Sequence, residues 1–71
     1  MVRTVEELVD EGRAALRRGD PVAARVAYAA AATVERSGLV MAGLAESAYL
    51  EHDFDVAIAG FEQAYRAFRD A

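Results

Sequence analysis

The chain has no cysteine, no lysine and no tryptophan, and it has a single proline and a single histidine. Without cysteine it forms neither disulfides nor cysteine-based metal sites, a composition compatible with a reducing cytoplasm. All 8 basic residues are arginine, yet acidic residues outnumber them and the net charge is −4. Phosphate contacts need a clustered positive face. We therefore expect a cytoplasmic protein that does not bind nucleic acid through this segment.

Long hydrophobic runs are also missing. The most apolar stretch, residues 26–34, is far too short to cross a bilayer. Acidic residues near the start stand where a signal peptide needs an apolar run. No strand-length stretch alternates apolar and polar residues, although 55% of the chain is hydrophobic. Alanine supplies much of that share and favours helices. The composition predicts an all-α protein without a targeting signal or a membrane segment.

One offset of 33 residues relates two halves of the chain. The matching pairs are Gly12/Ala45, Ala15/Ala48, Asp20/Asp53, Ala24/Ala57, Tyr28/Phe61 and Ala31/Ala64. A period in the low thirties is typical of helical repeat arrays. We therefore predict a single domain of residues 1–71 that holds a tandem duplication, with repeat one at about 5–37 and repeat two at about 38–71.

Capping signals divide the first repeat into two helices. Thr4 and Glu7 form a capping-box pattern, which predicts that helix one begins there. Gly19 supplies the left-handed residue that ends it. Asp20 and Pro21 are a favoured N-cap and first residue for helix two. We predict that this helix continues through residues 22–36, ends at Ser37-Gly38 and lies antiparallel to helix one.

The second repeat is also predicted to consist of two helices. Helix three is predicted over about residues 39–51, with Gly43 inside it at a cost of roughly 1 kcal/mol relative to alanine. Its inward residues are predicted to be Val40, Met41, Leu44, Ala45, Ala48 and Tyr49. Asp53 is the predicted cap of helix four. We expect Gly12 to face Ala24 and Ala45 to face Ala57, with Tyr28 and Phe61 in the groove between the hairpins.

The spacing of small and aromatic residues resembles that of the tetratricopeptide repeat. The residues that carry the resemblance are Leu8, Gly12, Ala15, Ala24, Tyr28 and Ala31, then Met41, Leu44, Ala45, Ala48, Ala57, Phe61 and Ala64. Glu11 departs from the family pattern, which prefers leucine there. The resemblance implies two antiparallel helical hairpins (four helices) stacked as a short right-handed solenoid. An antiparallel four-helix bundle with coincidental spacing is the alternative fold.

The resemblance also implies a function, that of a protein–protein interaction or scaffold module with a protein or peptide partner. The family's ligand-facing positions map here to Glu6, Val9, Arg13, Leu16, Arg17, Leu39, Ala42, Glu46, Tyr49 and Leu50. The family's clamp for a peptide carboxylate uses lysine and asparagine, which Val9 with Arg13 and Ala42 with Glu46 do not match. The alternative interpretation of Arg13 and Arg17 is an ordinary solvated helix face.

Helix four ends without a following helix to cover it. We expect its stripe of Phe61, Ala64, Tyr65 and Phe68 to be exposed, as apolar interfaces are. One explanation is self-association as a two-fold homodimer. The other is that the chain belongs to a longer repeat protein, for example as the N-terminal repeat segment of a signalling or transcription-regulating protein. Repeats with similar Ala- and Arg-rich composition occur beside DNA-binding regulators in actinobacteria, so a bacterial origin is also expected.

The sequence contains no strong motif for a catalytic, cofactor or metal site. His52 lies beside Asp53 and Asp55, but capping accounts for both carboxylates better than metal binding does. The acidic residues Glu6, Glu7, Asp10 and Glu11 are typical of a solvated surface. Neither serine has a recognisable histidine or lysine partner, and no glycine-rich phosphate loop occurs. We therefore expect no enzyme activity, no cofactor and no metal.

Overall fold

A computed structural model of the chain describes residues 3–70, and within that range it contains four α-helices and no strand. The helices are α1 (Val5–Arg17), α2 (Pro21–Ala32), α3 (Gly38–Leu50) and α4 (Phe54–Asp70). The predicted all-α fold class is thus confirmed. The predicted domain of residues 1–71 also includes residues 1, 2 and 71, which lie outside the described range.

The ends of the first hairpin follow from local hydrogen bonding. Thr4 Oγ1 accepts a 3.1 Å hydrogen bond from the Glu7 amide, and the Glu7 carboxylate accepts one of 3.3 Å from the Thr4 amide. The chain reverses at Gly19, whose φ of 77° suits a residue without a Cβ. Asp20 then accepts from the Ala23 amide at 3.1 Å, with Pro21 as the first helical residue. These predicted caps are confirmed.

The predicted end of helix two was wrong by four residues. It ends at Ala32, where the Thr33 hydroxyl donates a 2.6 Å hydrogen bond to the carbonyl of Ala30. Ser37 does not end α2 but caps α3, since its Oγ accepts from the Val40 amide at 3.3 Å. An N-cap needs extended backbone, and Ser37 has a ψ of 164°. Residues 33–37 therefore form the connection between the hairpins.

Asp53 occupies the predicted cap position of α4, where its carbonyl accepts a 3.0 Å hydrogen bond from the Ala57 amide. Its carboxylate accepts a 2.9 Å hydrogen bond from the Arg25 guanidinium, which also reaches Glu51 at 3.5 Å. The hydrogen bond to Asp53 is the main reason that the pKa of Arg25 is raised above its ordinary value. Arg25 lies on α2 and both carboxylates lie at the turn between α3 and α4. These three side chains therefore link α2 of the first hairpin to the turn between α3 and α4 in the second.

Each helix packs against the next one along the chain, and α1 also touches α3. Within the described residues, α4 packs against α3 and against neither α1 nor α2. The buried apolar core consists of Leu8, Val9, Ala15, Ala24, Tyr28, Ala31, Ala32, Val40, Met41 and Ala64. Ala57, the counterpart of Ala24, is buried as well. This packing order agrees with two hairpins side by side, and the right-handed solenoid stays a prediction.

The glycines show how closely the paired helices pack. A Cβ built at Gly12 would lie 2.5 Å from the Tyr28 ring. A Cβ built at Gly60 would lie 2.8 Å from the Cβ of Ala45, so Gly60 and Ala45 are in close contact. The pairs Gly12 with Ala24 and Ala45 with Ala57 stay predictions, and Ala24, Ala45 and Ala57 are all buried.

Three predicted orientations were also wrong. Phe61 does not fill the groove between the hairpins but is 45% exposed. Ala64 lies one turn further along α4 and is buried in the core, so it is no part of an exposed stripe. Tyr49 was expected inward, yet it lies exposed at the end of α3 with its ring edge-on to Phe54 at 5.5 Å.

Candidate protein interaction groove

A groove runs along the seam between α1 and α3. It consists of two adjoining depressions of about 290 and 180 Å³ that share Arg13 and Leu39. The larger depression is lined by Arg13, Leu16, Arg17, Tyr28, Leu39, Ala42, Gly43 and Glu46. The smaller is lined by Val5, Glu6, Val9, Asp10, Arg13, Glu35, Ser37, Leu39 and Val40. The structure thus brings most of the predicted concave-face residues together along one seam.

Helical spacing explains which side chains reach the groove. On α1, Leu16 and Arg17 follow Arg13 by three and four residues, so both lie beside it on one face, next to the buried Gly12. On α3, Ala42 and Glu46 are related in the same way.

Tyr28 of α2 forms the floor of the groove. One edge of its ring, Cδ2 and Cε2, faces Gly12 of α1, and the other edge, Cδ1 and Cε1, faces Gly43 of α3. A Cβ at Gly12 would lie 2.5 Å from the ring, and one at Gly43 would lie closer still. The ring is therefore held between two backbones that only glycine allows to come so near.

The hydroxyl of Tyr28 opens into this groove. The residue is only 3% exposed, and among residues 3–70 no side-chain or backbone group hydrogen-bonds to its hydroxyl. No fully buried side-chain oxygen in that range lacks a partner, so the hydroxyl must reach solvent through the groove. Burial raises the pKa of Tyr28, and the nearby positive charge of Arg13 works against that rise.

The walls of the groove carry charges of both signs. Arg13 and Arg17 stand on the α1 side and Glu46 stands on the α3 side. In the part of the chain that the structure describes, none of these three takes part in an ion pair, whereas Arg25 has two carboxylate partners. The smaller depression adds only acidic groups besides Arg13, namely those of Glu6, Asp10 and Glu35. The groove is therefore polarised from an acidic to a basic end.

Two predicted site residues lie elsewhere, and the prediction missed one. Tyr49 and Leu50 line neither depression and lie exposed toward the turn after α3. Tyr28 was predicted to fill the groove between the hairpins but not as a site residue, and the structure places its ring between Gly12 and Gly43 and its hydroxyl in the candidate site. Gly43 was the signal that could have found it, because a glycine inside a helix points to a large side chain against the backbone.

A second surface lies on the outer face of α4. Phe61, Tyr65 and Phe68 are exposed there, as predicted, together with Ile58. A shallow depression of about 510 Å³ is lined by Ile58, Phe61, Glu62, Tyr65, Arg66 and Arg69. Its wide opening and apolar floor suit a helix or a flat surface better than a small molecule.

The turn at His52 provides no metal ligands as a group. His52 has a φ of 63° and its ring lies edge-on to Phe54 at 5.8 Å. The Asp53 carboxylate already accepts a hydrogen bond from the Arg25 guanidinium. Within residues 3–70, no three histidine, aspartate or glutamate side chains gather closely enough to hold a metal ion.

No protein-family model matches this chain, and comparisons with curated proteins and with solved structures find no significant match either. The tetratricopeptide resemblance accordingly rests on the residues of this sequence alone and stays a prediction. Across residues 3–70, no helix combines the length and the apolar content that crossing a bilayer requires.

Proposed function

We propose that this chain is a protein–protein interaction module of tetratricopeptide type, with its hairpins stacked as a short right-handed solenoid. In this proposal the groove between α1 and α3 binds an extended peptide segment of a partner protein. The observation that carries it is the Tyr28 hydroxyl, which lies without a hydrogen-bond partner among residues 3–70 on the floor of a groove with charged walls. We also propose a cytoplasmic location, which the absence of cysteine supports.

The size of the groove suits a short peptide. The 13-residue α1 is about 20 Å long, which corresponds to roughly six residues of extended chain. Leu16, Leu39 and Ala42 offer apolar contact, and the Tyr28 hydroxyl offers a donor and an acceptor to peptide backbone. Such a combination of an apolar lining and a few convergent polar groups is typical of binding sites.

The charges suggest how a peptide would be oriented. Arg13 and Arg17 would bind an acidic side chain, since guanidinium groups form charge-assisted hydrogen bonds with carboxylates. A basic side chain further along the peptide would lie near Glu6, Asp10 and Glu35. A peptide with the opposite order of charges would place like charges together, which costs affinity.

A peptide library displayed on phage and selected against the chain tests this proposal. Selected peptides should carry an acidic residue several positions from a basic one, and in NMR titrations they should shift the amide signals around Arg13, Leu39 and Glu46. The double variant Arg13→Glu/Arg17→Glu should weaken binding more than about tenfold, which corresponds to 1.4 kcal/mol.

Arg36→Glu is the matched control. Arg36 is an exposed arginine that hydrogen-bonds to Gln63 and lines neither part of the groove, so binding should remain unchanged. Binding that survives the double variant, or amide shifts confined to α4, would contradict the proposal.

A second proposal is that the chain is the N-terminal repeat segment of a larger signalling or transcription-regulating protein. The observation in its favour is the outer face of α4, which is uncovered, whereas α3 covers the equivalent aromatic of α2. DNA binding would then reside in another part of that protein. Sequencing of the genomic reading frame beyond Ala71 tests it, and a stop codon at that point would contradict it.

A further inference from the structure

The outer face of α4 has the spacing of a coiled-coil seam. Phe54, Ile58, Phe61, Tyr65 and Phe68 follow one another at intervals of four, three, four and three residues, and all are exposed. This alternation keeps one apolar stripe in line along a helix and is the pattern by which two helices pair. A helix with this pattern has a surface suited to a single partner helix.

A neighbouring face of α4, about 90° around the helix from the outer seam, packs against α3. Ala57, Gly60 and Ala64 are buried against α3, also at intervals of three and four residues. The two ends of the outer seam touch α3, since the Phe54 ring lies edge-on to Tyr49 at 5.5 Å and the Phe68 ring lies against Gly38. α4 therefore carries two seams, one of small residues packed within its hairpin and one of large apolar residues that are exposed.

The charges beside the outer seam are complementary to themselves. Asp55, Glu62 and Arg69 lie seven residues apart, so they follow one flank of the seam. Asp55 precedes Glu62 by the same distance at which Arg69 follows it. When two copies of α4 run antiparallel about a two-fold axis near Glu62, Asp55 of each copy therefore lies opposite Arg69 of the other.

Other arrangements lack this match. A parallel pair places the Asp55, Glu62 and Arg69 flanks of the two copies on opposite sides of the seam, so Asp55 and Arg69 do not pair. Glu62 meets its own copy near the axis of the antiparallel pair, and Arg66 lies within 3.9 Å of it to offset that repulsion. Antiparallel pairing also sets the two helix dipoles in opposite directions.

We propose that the outer face of α4 binds α4 of a second copy of this chain, antiparallel, to form a two-fold dimer. The apolar stripe supplies the affinity and the Asp55–Arg69 pairs select the orientation. The α1–α3 groove takes no part in this contact, so each dimer presents two peptide grooves and gains avidity for partners with two binding segments.

Sedimentation velocity over a dilution series tests the dimer. The chain should convert from monomer to dimer with rising concentration. Tyr65→Glu should raise the concentration at the midpoint more than about tenfold, because it places a charge in the seam. Tyr65 is 67% exposed, so the substitution leaves the monomer fold intact.

Val26→Glu is the control for this variant. Val26 is 68% exposed and apolar like Tyr65, but it lies on α2, away from the seam. Its midpoint should equal that of the unaltered chain. A monomer at every concentration would overturn the proposal and leave the face to another segment or protein. A dimer that Tyr65→Glu does not weaken would overturn it in favour of a different surface.

Disulfide trapping tests the orientation, since the chain has no cysteine of its own. A mixture of the Asp55→Cys and Arg69→Cys variants should form a mixed disulfide under mild oxidation, while neither variant alone should form one readily. Residues 55 and 69 are about 21 Å apart on one helix and cannot bridge within a chain. Rapid dimerisation of the Asp55→Cys variant by itself would indicate parallel helices and overturn the antiparallel pairing.

Discussion

Tyr28 and Phe61 occupy the same position in the two repeats, 33 residues apart, yet their surroundings differ sharply. Tyr28 is 3% exposed and Phe61 is 45% exposed. The difference lies in the next helix along the chain. α3 presents Gly43 to Tyr28, whereas no described helix follows α4. An aromatic residue at this position is therefore fully buried only when the next hairpin packs against it as well as its own.

The small residues of the two repeats behave differently from the aromatic ones. Ala24 and Ala57 are both buried, and so are Ala31 and Ala64. These positions face the partner helix of their own hairpin, which is present in both repeats. The repeat thus has two kinds of position. At one kind the side chain is buried within its own hairpin, and at the other it is buried only when a neighbouring hairpin is present.

Replacing each aromatic residue by alanine tests this comparison most strongly. Tyr28→Ala should lower the free energy of unfolding by about 3–5 kcal/mol, as for other large core side chains. Phe61→Ala should lower it by about 1 kcal/mol, because nearly half of that ring is already in water. Urea unfolding followed by circular dichroism measures both at concentrations where the chain is monomeric. Equal losses would contradict the comparison.

Gly43→Ala tests whether the backbone of α3 really closes on Tyr28. An added Cβ would overlap the ring, which typically costs about 1–3 kcal/mol. Alanine would by itself favour the helix by roughly 1 kcal/mol, so a net loss in unfolding free energy requires the clash to prevail. We expect a net loss of about 1 kcal/mol in the same assay.

Ala59→Gly on the exposed surface of α4 measures the helix-propensity contribution for that test. If Gly43→Ala stabilised the chain by as much as Ala59→Gly destabilises it, the close contact between Gly43 and Tyr28 would be disproved. Tyr28→Leu combined with Gly43→Ala should recover part of the loss, because the narrower side chain leaves room for the Cβ.

Arg25→Gln tests the link between the first hairpin and the turn of the second. Arg25 binds Asp53 and Glu51, and all three side chains are partly exposed, so we expect a loss of about 0.5–1 kcal/mol. The loss should shrink in high salt, which screens such pairs. Arg13→Gln is the control, since Arg13 has no ion pair within residues 3–70, and it should leave the unfolding free energy unchanged.

The smallest expected effect concerns the hydroxyl of Tyr28 at alkaline pH. Burial raises its pKa in the folded chain above the ordinary value of 10.0, so the folded state holds the proton more tightly than the unfolded state. Its contribution to stability is therefore complete below pH 10.0 and is lost as pH rises through the folded pKa. Tyr28→Phe should reduce the loss of stability above pH 10, measured by urea unfolding at several pH values. An identical pH dependence in both chains would show that the hydroxyl does not titrate in a buried site.

Local signals predicted the fold well where they act within a few residues. The capping box at Thr4 and Glu7, the left-handed Gly19 and the cap at Asp20 all depend on near neighbours in the chain. The end of α2 was mispredicted because serine and glycine can either end one helix or begin the next. Only the position of α3 shows that Ser37 does the latter.

The candidate site was predicted in part. The resemblance to the tetratricopeptide repeat implied that Arg13, Arg17 and Glu46 share one concave face, and the structure brings them to one groove. Spacing within a helix could not reveal the Tyr28 hydroxyl in that groove, since its position depends on three helices at once. It also could not reveal that Asp53 binds Arg25, which lies 28 residues away.

The sequence by itself determined four helices, the caps of the first hairpin and the repetition of small and aromatic residues, because propensity and capping act over one or two turns of chain. The tertiary structure alone decided which aromatic is buried, which alanine faces the core and which charges are paired. Those outcomes depend on contacts between residues far apart in sequence. Tyr28 and Phe61 occupy the same position of the repeat, but only Tyr28 has a further helix beside it, and only Tyr28 is buried.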